Sequence, residues 1–160
     1  MRSTKQFLAI AFVAMLFIVG CGKNEEQKIE GTAKQRQAPK KESVVVVPAI
    51  VKGKWKAVKI AVTDKNTQKK TLYTVDIGSQ VSLPGSNLVV KVENFLPQFI
   101  IEGTHLTSQT NEPKNPAAQI IVMDGGKEIY KGWLFSLYPD THKFEHPKFG
   151  FTLVDFIPAR

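Results

Sequence analysis

An all-β domain over residues 44–160, an antiparallel sandwich or small barrel of about eight strands, is the fold that three observations predict. β-branched and aromatic residues come in short runs broken by Gly, Pro, Asn and Asp. Several runs alternate apolar with polar side chains, the two-residue period of a strand with one buried face. No stretch combines sustained helical periodicity with capping residues. Eight or nine short strands joined by regular turns then favour two packed sheets or one rolled sheet.

The elements follow in order. Val44–Val47 is an apolar run that Pro48 ends. In Trp55–Thr63, Val58, Ile60 and Val62 fall on one face, with Lys59 and Thr63 on the other. Asp64-Lys65-Asn66-Thr67 reads as a turn, because Asp and Asn side chains bond their own backbone. Thr71–Ile77 completes a hairpin, and Gly78 and Pro84-Gly85 bracket a short strand at Val81–Leu83. Asn87–Phe95 alternates again, with Leu88, Val90 and Val92 inward. Pro97 interrupts because it cannot donate to a ladder, and Gln98–Glu102 can resume as a strand. Thr104 to Asn115 reads as a polar loop. Ala117–Met123 is apolar without alternation, the pattern of a central strand buried on both faces. Asp124-Gly125-Gly126 is the strongest hairpin signal, since glycine accepts the positive φ of tight hairpin turns. Glu128–Ser136 returns, Leu137 to Lys148 is a long loop, and Phe149–Ile157 is a last strand.

Residues 1–43 have a different character. Met1 to Gln6 is short and basic, and Phe7 to Val19 carries no polar side chain. That run is shorter than the ~20 residues a spanning helix needs and matches the apolar core of an export signal. It leads into Ile18-Val19-Gly20-Cys21, which resembles the lipobox of bacterial lipoproteins, with Ile18 where leucine is usual. The resemblance implies cleavage after Gly20, a diacylglycerol on the Cys21 sulfur and acylation of the new amine, so that residues 1–20 are signal and the mature chain is held to a membrane. Each buried CH₂ contributes about 0.8 kcal/mol, so several long chains give lasting attachment where one gives marginal binding. Gly22 replaces the Asp that often retains such proteins in the inner membrane, which points to the outer membrane, facing the periplasm. Residues 22–43 are Lys, Glu, Gln and other polar types with Ile29 as the one large apolar side chain, the composition of a flexible tether.

Charge and cysteine content bound the function. Twenty-two Lys and Arg stand against 14 Asp and Glu, for a net charge of +8. Arg2 and Lys5 lie in the signal and six cations against four anions in the tether, so residues 44–160 keep 14 against 10, or +4. These lysines are scattered and not interleaved with aromatics, which argues against nucleic acid as a partner. Cys21 is the one cysteine, so no internal disulfide can form and the domain must be stable through burial. Ser79, Ser82, Ser86, Ser108 and Ser136 lack the flanking glycines of a nucleophile elbow. No glycine-rich phosphate loop joins a strand to a helix. The expectation is a protein without catalytic residues or cofactor.

Two clusters remain as candidate sites. His142, Glu145 and His146 share the long loop, whereas His105 stands apart. A zinc-protease pattern needs His-Glu-x-x-His on a helix; here Glu145 directly precedes His146, and Pro139, Pro147 and Gly150 favour loop. A loop could still bring two imidazoles and a carboxylate around a metal or small molecule, which makes such a site the alternative reading. The second cluster is aromatic: Trp133, Phe135 and Tyr138 beside the same loop, residue types favoured as interface anchors. With Glu145 and His146 they form the expected binding surface.

Asn115-Pro116-Ala117-Ala118, Tyr130-Lys131-Gly132-Trp133-Leu134-Phe135 and Glu145-His146-Pro147 together resemble an uncharacterised family of proteobacterial envelope proteins, over roughly Trp55 to Pro158. Some relatives carry a cysteine pair that this chain lacks, so no disulfide transfers. The resemblance implies an exported β domain, brings no activity or cofactor, and singles out Gly132, Trp133, Phe135, Glu145, His146 and Pro147. The leading expectation is an accessory lipoprotein that binds another envelope protein. Weak, salt-sensitive binding of an anionic envelope polymer through the lysines is a third possibility. Replacing Cys21 tests the anchor: in cell fractionation, Cys21→Ser is expected to yield a soluble domain or an unprocessed precursor, and a variant that stays membrane-bound and processed like wild type contradicts lipidation.

Overall fold

The computed structural model describes residues 43–141 and 144–160. The described residues belong to one compact unit, and the segments expected from sequence to be signal and tether, residue 43 apart, lie outside them. Ten strands and no helix occur among the described residues: β1 (Val44–Val45), β2 (Trp55–Asp64), β3 (Lys70–Asp76), β4 (Gln80–Ser82), β5 (Leu88–Leu96), β6 (Phe99–Glu102), β7 (His105–Ser108), β8 (Ala117–Asp124), β9 (Lys127–Phe135) and β10 (Phe149–Pro158). The all-β expectation holds, and the strands are arranged as packed sheets without a closed barrel.

Two antiparallel sheets make the sandwich. One has the order β10-β2-β3 and the other β4-β5-β8-β9. The β2–β3 turn forms as its sequence predicts: Asp64 Oδ1 accepts from the backbone N–H of Asn66 at 2.9 Å and of Thr67 at 3.0 Å. The β8–β9 turn is the expected two-residue hairpin, with Gly125 and Gly126 at φ 56° and 85°. Inward residues alternate along the strands. Val58, Ile60, Val62, Phe151 and Leu153 of the first sheet meet Leu88, Val90, Val92, Ala118, Ile120, Val122 and Leu134 of the second. Fully burying each large apolar side chain contributes about 1.5–3 kcal/mol, and without a disulfide this packing is the main support of the domain.

The second sheet is covered on its other face as well. Leu96, Ala117, Trp133 and Phe135 form a separate small core there, with Val45, Val47, Phe99 and Leu106 packed against it. The cover is a third sheet of order β1-β7-β6. This accounts for β8, whose apolar run is buried from Ala117 to Val122 because both of its faces are occupied. Gln119 is the polar exception, and its Oε1 accepts from Asn94 Nδ2 at 2.7 Å.

Two local differences from the sequence expectation produce this cover. Residues 105–108 lie in the stretch read as a polar loop, yet they form β7, antiparallel to β6. His105-Leu106-Thr107-Ser108 has one large apolar side chain, too few to signal a strand by alternation. Its order comes from backbone pairing on both sides, with Leu106 supplying the inward contact. The valine run is paired for two residues rather than four, and β1 runs parallel to β7. Pro97 breaks the chain between β5 and β6 as expected. It is itself fully buried, and the Asn115 backbone N–H donates to its carbonyl at 3.1 Å.

Candidate functional site

The β6–β7 hairpin does not cover the outer face completely. Between it and β9 runs an apolar groove of about 470 Å³ lined by Phe99, Ile101, Leu106, Tyr130, Lys131, Gly132, Trp133 and Phe135. Trp133 and Phe135 are 9% and 7% exposed, so they form the floor rather than a protruding patch. The Phe99 ring meets both edge-on, with centroids 5.0 Å from Trp133 and 5.1 Å from Phe135. Ile101 stands on the groove wall with 65% of its surface exposed. A large aliphatic side chain left in water beside an aromatic floor is the arrangement that a partner's apolar side chains can complete.

Charge lies at the groove margin. Lys131 Nζ is 2.8 Å from Glu93 Oε2, and Lys91 Nζ is 3.6 Å from Glu93 Oε1. Glu93 is the extra residue of a β-bulge, since Val92 and Asn94 pair with successive β8 residues. The hydrogen bond from Lys131 holds the Glu93 carboxyl below the ordinary carboxylate range, and the same bond raises the Lys131 ammonium. Lys131 is therefore paired at the groove margin.

The other face of β9 carries a second aromatic cluster. Tyr130 stacks on Phe144 at 4.5 Å, and Phe144 lies 5.7 Å from Phe151 and 6.0 Å from His146. His146 stacks on Phe149 at 5.5 Å. Its Nδ1 accepts from the backbone N–H of Lys148 at 3.2 Å and of Phe149 at 3.1 Å. That pair of bonds shapes the turn through Pro147 into β10. Burial is the largest influence on the ring and holds it below the ordinary imidazole value.

Tyr130 belongs to both clusters. While its ring lies on Phe144, the backbone N–H of Trp133 donates to its hydroxyl. Burial pushes the phenol pKa up, and the bond from Trp133 acts in the opposite direction. The side chain reaches that position by passing over Gly132, where an added Cβ would collide with the Tyr130 hydroxyl and ring. Gly132 is thus required by a close approach, not by its backbone angle.

The residues singled out from sequence are therefore divided between the two faces of β9. Trp133 and Phe135 floor the outer groove, whereas His146 joins the cluster on the inner face and Glu145 beside it is exposed. Tyr138 is exposed to 59% on the loop after β9. His142 and Cys21 lie outside the described residues. Among the described residues no three His, Cys, Asp or Glu side chains come together as a metal site, and His146 Nδ1 is turned toward backbone donors. Sequence reading missed Phe99, Ile101, Leu106, Tyr130 and Phe144. The apolar run Phe99-Ile100-Ile101 was the available signal for the groove.

Comparison with protein-family models, curated proteins and solved structures finds no match for this chain. Its own geometry makes a direct prediction. Gly132→Ala should displace Tyr130 and cost about 1–3 kcal/mol, as overpacking generally does. Urea denaturation measures the loss, and a variant within about 0.5 kcal/mol of wild type would show that Tyr130 does not depend on Gly132.

Proposed function

We propose that this chain is a membrane-anchored envelope lipoprotein whose β domain is a non-catalytic binding module for another envelope protein. The groove between β6 and β9 supports this reading best, through the exposure of Ile101 over a floor of Phe99, Trp133 and Phe135. Aromatic residues of this kind, set in a water-excluding depression, supply most of the binding energy in protein interfaces. Paired Lys131 and Glu93 at the margin suit the polar rim that surrounds such a centre. Attachment at Cys21 and a tether of about 22 residues would let the domain reach roughly 25 Å from the bilayer on average.

A photo-crosslinking residue placed at Ile101 in living cells tests the reading, with the same residue at Leu72 on β3 as control. Leu72 is almost as exposed, at 61%, and belongs to the other sheet of the sandwich. The expected result is one reproducible protein adduct from position 101 that position 72 does not give. No adduct from position 101 in a normally expressed and anchored protein, or identical adducts from both positions, contradicts the groove as the binding surface.

A further inference from the structure

The two faces of β9 are joined through one side chain, and the inner end of that connection rests on a titratable ring. His146 Nδ1 accepts two backbone N–H groups, from Lys148 and Phe149. An imidazole nitrogen can accept only while it carries no proton, so this geometry assigns the ring as neutral with its hydrogen on Nε2. A proton added at Nδ1 would set an N–H against two others. Lys65 in the β2–β3 turn opposes the added charge and Asp124 at the end of β8 favours it. On its own segment His146 is flanked by exposed Glu145 and by Lys148, whose backbone carbonyl accepts the Lys65 N–H at 2.9 Å.

We propose that protonation of His146 unfastens residues 144–149, lifts Phe144 from Tyr130 and so releases the Trp133 edge of β9 beside the apolar groove. Each link is a contact in the structure. His146 shapes the 146–149 turn, and its ring lies 6.0 Å from that of Phe144, two residues before it. Phe144 covers Tyr130. The Tyr130 hydroxyl occupies the Trp133 N–H, which would otherwise be a donor for an added strand. The clasp does not depend on what the groove binds, and it makes acid the signal that exposes the edge.

The direction with pH follows from the partly buried ring. The folded chain binds this proton less readily than the unfolded chain, whose imidazole has the ordinary value of 6.5. The clasp therefore contributes fully above that value, and its contribution is lost as pH falls from there through the lower folded value. Carboxylates such as Glu93, held below their ordinary range, stay ionised through that interval.

Amide hydrogen exchange on the full chain, corrected for the intrinsic effect of pH, reads the clasp residue by residue. Protection of the Trp133 amide in wild type should fall roughly five- to tenfold between about pH 7.5 and about pH 5, the loss expected when a hydrogen bond is given up. In His146→Asn the side-chain oxygen can accept the same two N–H groups but does not titrate, so protection at Trp133 should stay level. In Tyr130→Phe the Lys148 and Phe149 amides should still respond to pH, while the Trp133 amide is poorly protected throughout. An unchanged Trp133 amide in wild type, or an equal fall in wild type and His146→Asn, overturns the proposal. If His146→Asn does not fold, the pair of wild type and Tyr130→Phe decides alone, and a Trp133 response that survives in Tyr130→Phe overturns it.

Discussion

The outer face of the four-stranded sheet cannot be left in water, and that constraint organises the rest of the molecule. Leu96, Ala117, Trp133 and Phe135 all project from it, away from the main core. Covering them takes a hairpin inserted between β5 and β8, held on its far side by the two-residue strand β1. Phe99 locks the cover to the sheet by meeting Trp133 and Phe135 edge-on, the ring geometry that aromatic quadrupoles favour. Because β6 is only four residues long, the cover ends before β9 is fully enclosed. The groove is what remains uncovered, so the candidate binding surface and the second core have one origin.

The same strand shows how an exposed sheet edge is managed. β9 is the last strand of its sheet, and a free row of backbone donors invites pairing with another chain. Tyr130 answers this at one position by folding back along its own strand to take the Trp133 N–H. Such a fold-back is possible only over a residue without a Cβ, which gives the Tyr-x-Gly-Trp spacing a mechanical meaning. Phe144 then holds Tyr130 from the inner side. Edge protection, the glycine and the loop segment through His146 are parts of one packing arrangement.

Much of the sandwich was legible because its signals are local. The glycine pair after Asp124 and the self-bonding Asp64 each place a turn from within a few residues. The apolar run of β8, interrupted by Gln119, announced two buried faces, although nothing in it named what would cover the second. β7 was illegible because its order comes from its neighbours' backbones, while its side chains read as polar loop. The aromatic residues near Trp133 looked like one surface because they are close in sequence. Alternation along β9 keeps Trp133 and Phe135 together on one side and sends Tyr130 and Leu134 to the main core, where Phe144 links Tyr130 to His146. Phe99 and Phe144 come from distant segments, and no local spacing could have joined them to the site.

If the β6–β7 hairpin is what closes the second core, Phe99 and Trp133 must stabilise the domain together rather than separately. A double-mutant cycle with Phe99→Leu and Trp133→Leu, followed by urea denaturation, measures that coupling directly. Edge-to-face packing predicts a favourable interaction of about 0.5–1.5 kcal/mol between the two positions. Losses that simply add, with no coupling beyond about 0.3 kcal/mol, would mean that the hairpin rests on the sheet without locking to it. The groove would then have no fixed wall.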